Sequence, residues 1–375
     1  MKIFISAGEP SGDFHAANLV RNLRSATTMD LSFFGLGGEK SKNAGVEIIS
    51  DISQLALVGV VEVIRNIFTV GKAYKSVVAS IDAEKPDLAI LVDYPGFNLR
   101  LAAEFKKRNV PVVYYISPQI WAWGMNRIKI IKRCVRKVIV FFAFEEKLYK
   151  SYGVDAEFVG HPLLDTVRAS ISTEEARTAY GLSKEKKTLA LLPGSRAIEV
   201  SSLLKTMVSS AQILDKRLNG VQVIVARYGG IPLSIYEEAV KGSGLDVKIV
   251  TGDTYNALKA SDFAIVASGT ATLETAIIGT PFVIAYKVNP LTFLIGKLMA
   301  KVRFLGLVNI LAGREVAPEF LQMDATPHKI AAKACEIMSD DKKMALMKVD
   351  LKAVVASLGQ PGAGLRAALA ILPLL

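Results

Sequence analysis

Short apolar segments that end at glycine-rich or polar loops alternate with longer helical stretches along this sequence. Lys2–Ala7 is such a segment, it leads directly into the loop 8–13, and a helical pattern follows from His15 to Arg24. Further apolar runs lie at Leu31–Leu36, Leu88–Val92 and Val110–Ile116. Uninterrupted apolar strands separated by helices are typical of parallel sheets that are covered on both faces. The pattern therefore predicts an α/β domain built from βαβ units.

The same alternation begins again after the charged stretch 183–187, which indicates a second domain of the same class. Its apolar runs are Thr188–Leu192, Val221–Ala226, Val247–Val250, Phe263–Val266 and Phe282–Ala285. The 375 residues are enough for two domains, since one domain commonly takes about 100–200 residues. We predict two doubly wound domains at 1–170 and 171–345, and a helical segment at 346–375 that packs back on the first domain.

Composition narrows the class of protein further. With 51% hydrophobic and 22% charged residues, the chain can bury a large core, which excludes intrinsic disorder. Its two cysteines, Cys134 and Cys335, are too few for a disulfide framework, so we expect a reducing compartment. The first residues lack the apolar core of a secretory signal, and no run reaches the roughly 18 apolar residues of a spanning helix. We therefore expect a cytoplasmic location.

The chain carries 46 Lys and Arg against 35 Asp and Glu, and its formal net charge of +11 is unevenly distributed. Two segments are strongly basic, one between Arg100 and Lys137 and one between Lys287 and Arg314. Such patches attract nucleic acids, anionic lipids or phosphorylated substrates, whereas solvated helix faces are the simpler alternative. Nucleic acid is the least favoured partner, because no recognisable nucleic-acid-binding motif accompanies the charge.

One helical segment has an unusually long apolar stripe. Its apolar residues recur at helical spacing from Val60 to Val78, while Arg65, Lys72 and Lys75 fall largely off the stripe. A buried amphipathic helix explains this pattern. A helix that lies in a membrane interface, with its basic residues toward the lipid headgroups, explains it equally well.

Ligands of open parallel sheets bind beyond the carboxyl ends of the strands, so the loops after strands supply the candidate binding residues. In the second domain two such loops favour an anion, and their residues are Gly194, Ser195, Arg196, Ser268, Gly269, Thr270, Ala271 and Thr272. Glycine lets the backbone approach a phosphate, a helix N-terminus offers N–H groups, and arginine adds a bidentate fork. Ordinary turns are the alternative for each loop, but two in one domain favour a nucleoside diphosphate.

A carboxylate follows the second of these loops by one helical turn. Glu274 is placed to accept hydrogen bonds from ribose hydroxyls. A carboxylate near a helix N-terminus is also common for a purely structural reason, because the helix dipole stabilises it.

The first domain brings carboxylates and aromatic residues to comparable positions. Four candidates follow its first strand: Glu9, Ser11, Gly12 and Asp13. Asp93 directly follows the apolar run Leu88–Val92, where it can deprotonate a hydroxyl nucleophile or cap the next helix. Both tryptophans, Trp121 and Trp123, lie in one later loop, where they suit a sugar or acyl surface or the core.

Several other chemistries are disfavoured. The three histidines, His15, His161 and His328, form no metal-binding pattern, so we expect no metal site. The phosphate loops lack the Walker ending and a complete dinucleotide fingerprint, and no motif indicates a covalent nucleophile. His161 lies near the predicted domain boundary, as a hinge or cleft residue or as a core histidine.

Eight motifs, in order from the first strand to about Gln322, resemble those of lipid A disaccharide synthases. They are SAGEPSGD, LVGVVEV, VDYPGFN, SPQIWAW, FVGHPL, LLPGSR, SGTATLE and the late motif GLVNILAG with PEFLQ. The resemblance implies the GT-B architecture, in which two Rossmann-like domains face each other, the second binds the donor nucleotide, and a C-terminal helix returns to the first. It further implies an inverting transfer, without metal or cofactor, of 2,3-diacylglucosamine from UDP to the 6-hydroxyl of 2,3-diacylglucosamine 1-phosphate. The products that the resemblance implies are the β(1→6)-linked precursor of lipid A and UDP.

The resemblance also assigns roles by position. Arg196 and the loop Ser268–Thr272 would hold the UDP phosphates, and Glu274 would hold the ribose. The donor sugar would be lined by Asn309, Glu319 and Gln322. The acceptor side would comprise Glu9, Ser11, Gly12, Asp13, Asn98 and Trp121. Asp93 is the expected general base.

The chain departs from the family pattern at a few positions. Gly96 stands where some members carry a second acid, which leaves Asp93 as the only carboxylate between the strand end and Phe97. The usual Leu-Pro-Asn is here Leu307-Val308-Asn309, and Pro10 and Phe14 alter the first loop.

The implied substrates carry acyl chains. We therefore expect peripheral attachment to an anionic membrane surface, on the inner face of the inner membrane, through the helix at 60–78 and the basic patches. The sequence leaves the oligomeric state open, with a homodimer among the options. Two other functions remain: a UDP-sugar 2-epimerase would share the second-domain loops, and a non-catalytic lipid-binding protein would use the stripe but not those loops.

Overall fold

The fold is described from a computed structural model, which covers residues 1–51, 67–122, 124–287 and 303–375, with only the backbone at 67–70. The chain divides into two compact units. Unit 1 comprises Met1–Asp165 together with Leu358–Leu375, and unit 2 comprises Thr166–Ser357. Each unit is built around one parallel sheet, as the sequence predicts.

Unit 1 contains a seven-stranded sheet in the order β3-β2-β1-β4-β5-β6-β7. Every neighbouring pair is parallel. The strands are β1 (Lys2–Ala7), β2 (Ser32–Gly37), β3 (Val46–Asp51), β4 (Leu88–Val92), β5 (Val112–Tyr115), β6 (Lys137–Val140) and β7 (Ala156–Phe158). Because all strands run the same way, the loops that follow β1, β4 and β5 come together beyond the carboxyl ends of the strands.

Helices cover both faces of this sheet. They are α1 (Pro10–Ser25), α2 (Glu39–Asn43), α3 (Ile67–Glu84), α4 (Pro95–Lys107), α5 (Ile128–Cys134), α6 (Ala143–Ser151) and α7 (Leu163–Thr166). One core lies between the sheet and α1, and a second lies between the sheet and α3, α4 and α5. Alternating residues of one strand enter opposite cores: Tyr114 enters the second core and Tyr115 the first.

Unit 2 contains a six-stranded parallel sheet in the order β10-β9-β8-β11-β12-β13. The strands are β8 (Lys187–Leu192), β9 (Val221–Arg227), β10 (Asp246–Thr251), β11 (Phe263–Ala267), β12 (Phe282–Tyr286) and β13 (Glu319–Leu321). The helices are α8 (Thr173–Ala179), α9 (Ala197–Arg217), α10 (Leu233–Val240), α11 (Thr254–Ala260), α12 (Ala271–Ile278), α13 (Leu307–Ala312), α14 (Pro327–Met338), α15 (Asp341–Ser357) and, in unit 1, α16 (Ala363–Ile371).

The strands that the sequence analysis does not predict lie toward the sheet edges. They are β3, β6, β7 and β13. β3, β7 and β13 are partly exposed, so polar residues interrupt their apolar runs, and β7 and β13 have only three residues each. Such short, interrupted runs are hard to see in the sequence. Central strands such as β4 are buried at every position, which is why their pattern is clear in the sequence.

The unit boundaries fall at Asp165 and Ser357, where we expected 170 and 345. Helix α15 contacts α12, α13 and α14, and it buries Met347, Leu351 and Val354 within unit 2. The chain therefore passes to unit 1 only at Leu358, and α16 then packs on α1.

Polar contacts fasten this returning segment to unit 1. The backbone N–H of His161 donates to the carbonyl of Leu358 at 2.9 Å, and Arg366 Nε donates to the carbonyl of Val159 at 2.8 Å. The carboxylate of Asp165 accepts hydrogen bonds from the N–H groups of Gly362 and Ala363. His161 thus lies close to the two points at which the chain passes from one unit to the other, after Asp165 and after Ser357. Its ring packs against Phe141 and Phe142.

The apolar stripe is described only in part. Residues 60–66 lie outside the described ranges, but Val77 is fully buried and Tyr74 and Val78 pack against the second core of unit 1. Lys72 and Lys75 are exposed. These three apolar residues of the stripe therefore belong to the core of unit 1. No helix within the described residues is long and apolar enough to cross a bilayer.

Candidate functional site

A cavity of about 680 Å³ lies in unit 2, at the carboxyl ends of its strands. Its lining includes most of the predicted phosphate-loop residues: Gly194, Ser195, Arg196, Ser268, Gly269, Thr270 and Ala271. The predicted ribose ligand Glu274 lines it too. The two loops meet because β8 and β11 are neighbouring parallel strands, so their ends lie side by side.

The loop after β8 depends on a glycine and presents an exposed guanidinium. Gly194 has φ +112°, and a Cβ there would lie 2.5 Å from Glu199 Oε2. The side chain of Arg196 is 65% exposed and its Nη1 is 3.3 Å from Glu199 Oε1. An exposed pair of this kind contributes little to stability. Arg196 is therefore free to exchange this partner for an anionic ligand.

The loop after β11 uses one of its predicted residues internally. Gly269 has φ +139°, a conformation that favours glycine. Thr272 is fully buried, and its hydroxyl donates to the carbonyl of Gly269 at 2.8 Å. Thr272 therefore closes the turn, and its predicted contact with a phosphate is not supported. The N–H groups of Thr272 and Leu273 donate to the carbonyls of Gly269 and Thr270 at 3.1 and 3.0 Å. The N–H groups at 269–271 have no acceptor among the described residues, so they are the ones that can bind an anion.

Glu274 lies at the edge of the cavity in a partly buried position. Burial raises the pKa of its carboxyl group, and the hydroxyl of Tyr255 donates to its Oε1 at 3.2 Å. The carboxylate therefore keeps the capacity to accept further hydrogen bonds.

The structure adds residues that the sequence analysis missed. Residues 252–256, which follow β10 and include the start of α11, line the same cavity, so the strand-end rule would have found them. Arg168 also lines the cavity, although no motif marks it. Its guanidinium has no hydrogen bond or ion pair to any described residue, in contrast to Arg227, which bonds Ile231 and Thr251.

A partly buried hydrogen-bond network holds the segment that carries Arg168. The side chain of Asn256 accepts from the N–H of Ser170 at 2.9 Å and donates to Ser170 Oγ and Asp253 Oδ1. Asp253 in turn accepts from the hydroxyl of Tyr180 at 2.5 Å. Ser170 is thus held in place at the wall of the cavity, two residues from Arg168.

The three predicted sugar ligands do not belong to the lining of this cavity. Asn309 is fully buried, donates to Ala317 and Glu319, and accepts from the N–H groups of Val316 and Ala317. Glu319 also accepts from the N–H groups of Leu305 and Gly306, both at 2.9 Å. Their polar atoms are used within the fold, so direct sugar contact is not supported for Asn309. Gln322 follows β13 with φ +51° and is half-buried.

In unit 1, Asp93 and Glu9 meet at the ends of β4 and β1. These strands are neighbours in the sheet. Burial and the nearby Glu9 carboxylate raise the pKa of Asp93 to about 6. A Cβ on Gly8 would lie 2.2 Å from the ring of Tyr94, so Gly8 allows this ring to pack directly on the first loop. The result is a cluster of Glu9, Asp93 and Tyr94.

Two predicted acceptor-side residues are structural. The carboxylate of Asp13 is buried and accepts from the N–H groups of Gly38, Lys40 and Ser41 at 2.8–3.1 Å, which holds the start of α2. Asn98 is fully buried and bonds only unit 1 groups. Direct ligand contact is therefore not supported for either.

The other acceptor-side candidates differ in accessibility. Glu9 and Ser11 are exposed, whereas Gly12 is buried where α1 packs close to β1 and β4. Trp121 is half-buried and its Nε1 donates to Glu145 at 2.9 Å. Burial raises the pKa of Glu145 to about 7. Trp123 lies outside the described residues.

Comparison with known proteins decides the family. A family model described as lipid-A-disaccharide synthetase matches residues 3–372, nearly the whole chain. The chain belongs to the lipid-A-disaccharide synthase family. A lipid-A-disaccharide synthase of Syntrophus aciditrophicus is 43% identical over 377 residues, covering 100% of this chain and 97% of the relative. One of Myxococcus xanthus is 41% identical, with the same coverage.

Solved structures support the GT-B fold of this family member. MurG of Acinetobacter baumannii aligns with a TM-score of 0.61 at 14% identity, over 99% of each chain. MnaA of S. aureus, solved with UDP, aligns with a TM-score of 0.65 at 14% identity, over 100% of this chain and 97% of that one. The predicted fold class is confirmed, and family membership makes this lipid-A-disaccharide synthase family member a glycosyltransferase of lipid A biosynthesis.

Proposed function

We propose that this protein transfers 2,3-diacylglucosamine from UDP to the 6-hydroxyl of 2,3-diacylglucosamine 1-phosphate with inversion. The observation that carries the proposal is the cavity whose wall combines two glycine-containing strand-end loops with Arg168 and Arg196. Glycine turns, helix N-terminal N–H groups and guanidinium forks are suited to a diphosphate. Family membership supports the sugar and lipid parts of the substrates.

In this proposal the donor binds in unit 2. Arg196 and the N–H groups at 269–271 hold the diphosphate, and Glu274 accepts hydrogen bonds from the ribose. Gln322 remains a candidate for the sugar. Glu319 and Asn309 act indirectly, because their hydrogen bonds fix residues 305–306 and 316–317.

Asp93 is the general base of the proposed reaction. It takes the proton of the acceptor hydroxyl while that oxygen forms a bond to the anomeric carbon, and UDP leaves with the electron pair. A base whose pKa lies near the operating pH is effective, since it is ionised yet still binds the proton well. The raised pKa of Asp93, about 6, fits this requirement.

The test is to supply the UDP-diacylsugar and the acylated sugar 1-phosphate separately and together, and to measure UDP release. We expect UDP only when both are present. Isomerisation or release with the UDP-sugar alone would instead indicate an epimerase or hydrolase. Vesicle binding without any UDP release would indicate a lipid-binding protein.

We further propose that the protein attaches to the inner face of the inner membrane. The basic segment between Arg100 and Lys137 supports this, although Lys107, Arg108 and Lys137 are paired with acids. Exposed cations without an ion pair to any described residue remain: Arg100, Lys106, Lys129, Lys132, Arg133 and Arg136. Such a cluster attracts anionic lipid headgroups by about 1 kcal/mol per residue near the surface.

A further inference from the structure

The turn that carries Asp93 has an unfavourable backbone conformation. Asp93 has φ +48° and the next residue, Tyr94, has φ +45°. Two consecutive residues other than glycine in the left-handed region are uncommon, and they persist only where the surroundings hold them. The contacts that hold this turn therefore decide where the Asp93 carboxylate lies.

Two fully buried side chains hold the backbone carbonyl of Asp93. Tyr114 Oη donates to it at 2.7 Å, and Asn98 Nδ2 donates to it at 2.8 Å. Asn98 is itself fixed, because it accepts from Ser6 Oγ at 2.6 Å. The N–H of Asp93 donates to the carbonyl of Tyr115 at 3.1 Å. Both backbone polar groups of Asp93 are thus satisfied by unit 1.

The carboxylate of Asp93 is held differently. It accepts a hydrogen bond from the backbone N–H of Tyr94 and none from the side chain of any described residue. The position of the carboxylate is therefore determined through the backbone. Of the groups that hold the Asp93 carbonyl, the Tyr114 hydroxyl can be removed with the least other change, because the ring remains in the core.

The geometry points to Tyr114 as a positioning residue of the glycosyl transfer: its hydroxyl holds the Asp93 carbonyl, and so keeps the carboxylate aimed at the acceptor hydroxyl. This inference rests on the proposed role of Asp93 as the general base. Tyr114 touches neither substrate nor reacting atoms, and it acts only through Asp93.

Tyr114→Phe tests the inference with two matched controls. Tyr115 lies on the same strand and is equally buried, but its hydroxyl has no partner among the described residues. Tyr149 is also fully buried, and its hydroxyl donates to the carbonyl of Pro118 at 3.0 Å. We expect Tyr114→Phe to lower kcat about tenfold with an unchanged donor KM, since small misplacements of a reacting group are costly. Tyr115→Phe and Tyr149→Phe should keep normal kcat.

A double mutant separates positioning from general destabilisation. In the Asp93→Asn background Tyr114→Phe should cause no further loss of kcat, because coupled residues are non-additive. Normal kcat in Tyr114→Phe, a loss shared with Tyr149→Phe, or an additive loss in the double mutant would overturn the inference while leaving Asp93 as the base. If Asp93→Asn alone keeps normal kcat, the base assignment fails and the inference fails with it.

Discussion

At the scale of single residues, the two candidate sites differ in how their charged groups are held. Arg196 and Arg168 reach the unit 2 cavity without a strong partner, so they are available to an anion. Asp93 in unit 1 is partly buried beside Glu9, so it is available to a proton. Binding and proton transfer are therefore expected to respond to different substitutions.

Arg196→Ala should weaken UDP binding by roughly 1.5–3 kcal/mol, the scale of a charge-assisted hydrogen bond. Arg196→Lys should restore little, because an ammonium cannot replace the bidentate fork. Arg168→Ala should weaken binding in the same direction. Calorimetry with UDP measures these effects, and Arg217→Ala, an exposed arginine outside the cavity, is the control. Unchanged affinity in Arg196→Ala would refute its assignment.

The rate of transfer should fall on the acid side of neutrality. Asp93 must be deprotonated to act as a base, and its pKa is raised to about 6, so kcat/KM should decrease as the pH falls below that value. Burial lowers the pKa values of His15 and His161 to about 4, so neither histidine accounts for this decrease in kcat/KM. Asp93→Asn should lower kcat by a factor of about 10²–10⁴ and abolish the decrease of kcat/KM at acid pH. If the decrease persists in Asp93→Asn, it belongs to another group, and the first to test is Glu145, whose pKa burial raises to about 7.

At the scale of secondary-structure elements, helices in unit 1 combine a buried face with a charged one. Helix α5 buries Ile128, Ile131 and Cys134, while Lys129, Lys132 and Arg133 are exposed. The buried face fixes the helix on the core, and the exposed face is free to meet a charged surface. The start of α4 is equally open, because a Cβ on Gly96 would have no atom within 4 Å.

Replacing Lys129, Lys132 and Arg133 with glutamate should strongly reduce binding to anionic vesicles and leave UDP affinity unchanged. Vesicle sedimentation at low and high salt measures this, since surface attraction is screened by salt. The matched control changes the net charge equally on unit 2, at the exposed Lys216, Arg217 and Lys241. Equal losses in both triple variants would show that only net charge matters.

Gly96→Asp should raise the free energy of unfolding by about 0.5–1 kcal/mol. Glycine is unfavourable in a helix, and a carboxylate in the first turn interacts well with the helix dipole. Gly96→Ala isolates the first effect, and Gly96→Lys should be less stable than Gly96→Asp. Urea unfolding of the three variants checks the order, and destabilisation by all three would mean that the site is less open than described.

At the scale of the whole molecule, the C-terminal segment completes unit 1 after the chain has built unit 2. Its attachment combines the buried face of α16 with the hydrogen bonds of Asp165 and Arg366. Arg366 also donates to the carbonyls of Pro361 and Gln360, so one side chain satisfies three backbone acceptors.

Arg366→Ala should lower the stability of unit 1 by about 0.5–1.5 kcal/mol, because the partly buried carbonyl of Val159 loses its donor, whereas Gln360 and Pro361 are exposed to water. Urea unfolding measures the loss. UDP affinity should stay unchanged, because the proposed donor site lies in unit 2. A parallel loss of UDP affinity would contradict the view that the segment serves unit 1 alone.

The sequence by itself determined the fold class, the central strands and the loops that carry the candidate sites. These are local properties, because a run such as Leu88–Val92 and the loop behind it are adjacent in the chain. Only the tertiary structure decided which polar residues of those loops remain available. Asp13, Asn98, Thr272 and Asn309 look like ligands in the sequence, but their partners come from the fold. Whether a polar side chain meets a ligand or a buried backbone group depends on long-range packing, and the same packing brings Tyr114 to Asp93 and Arg168 to the cavity.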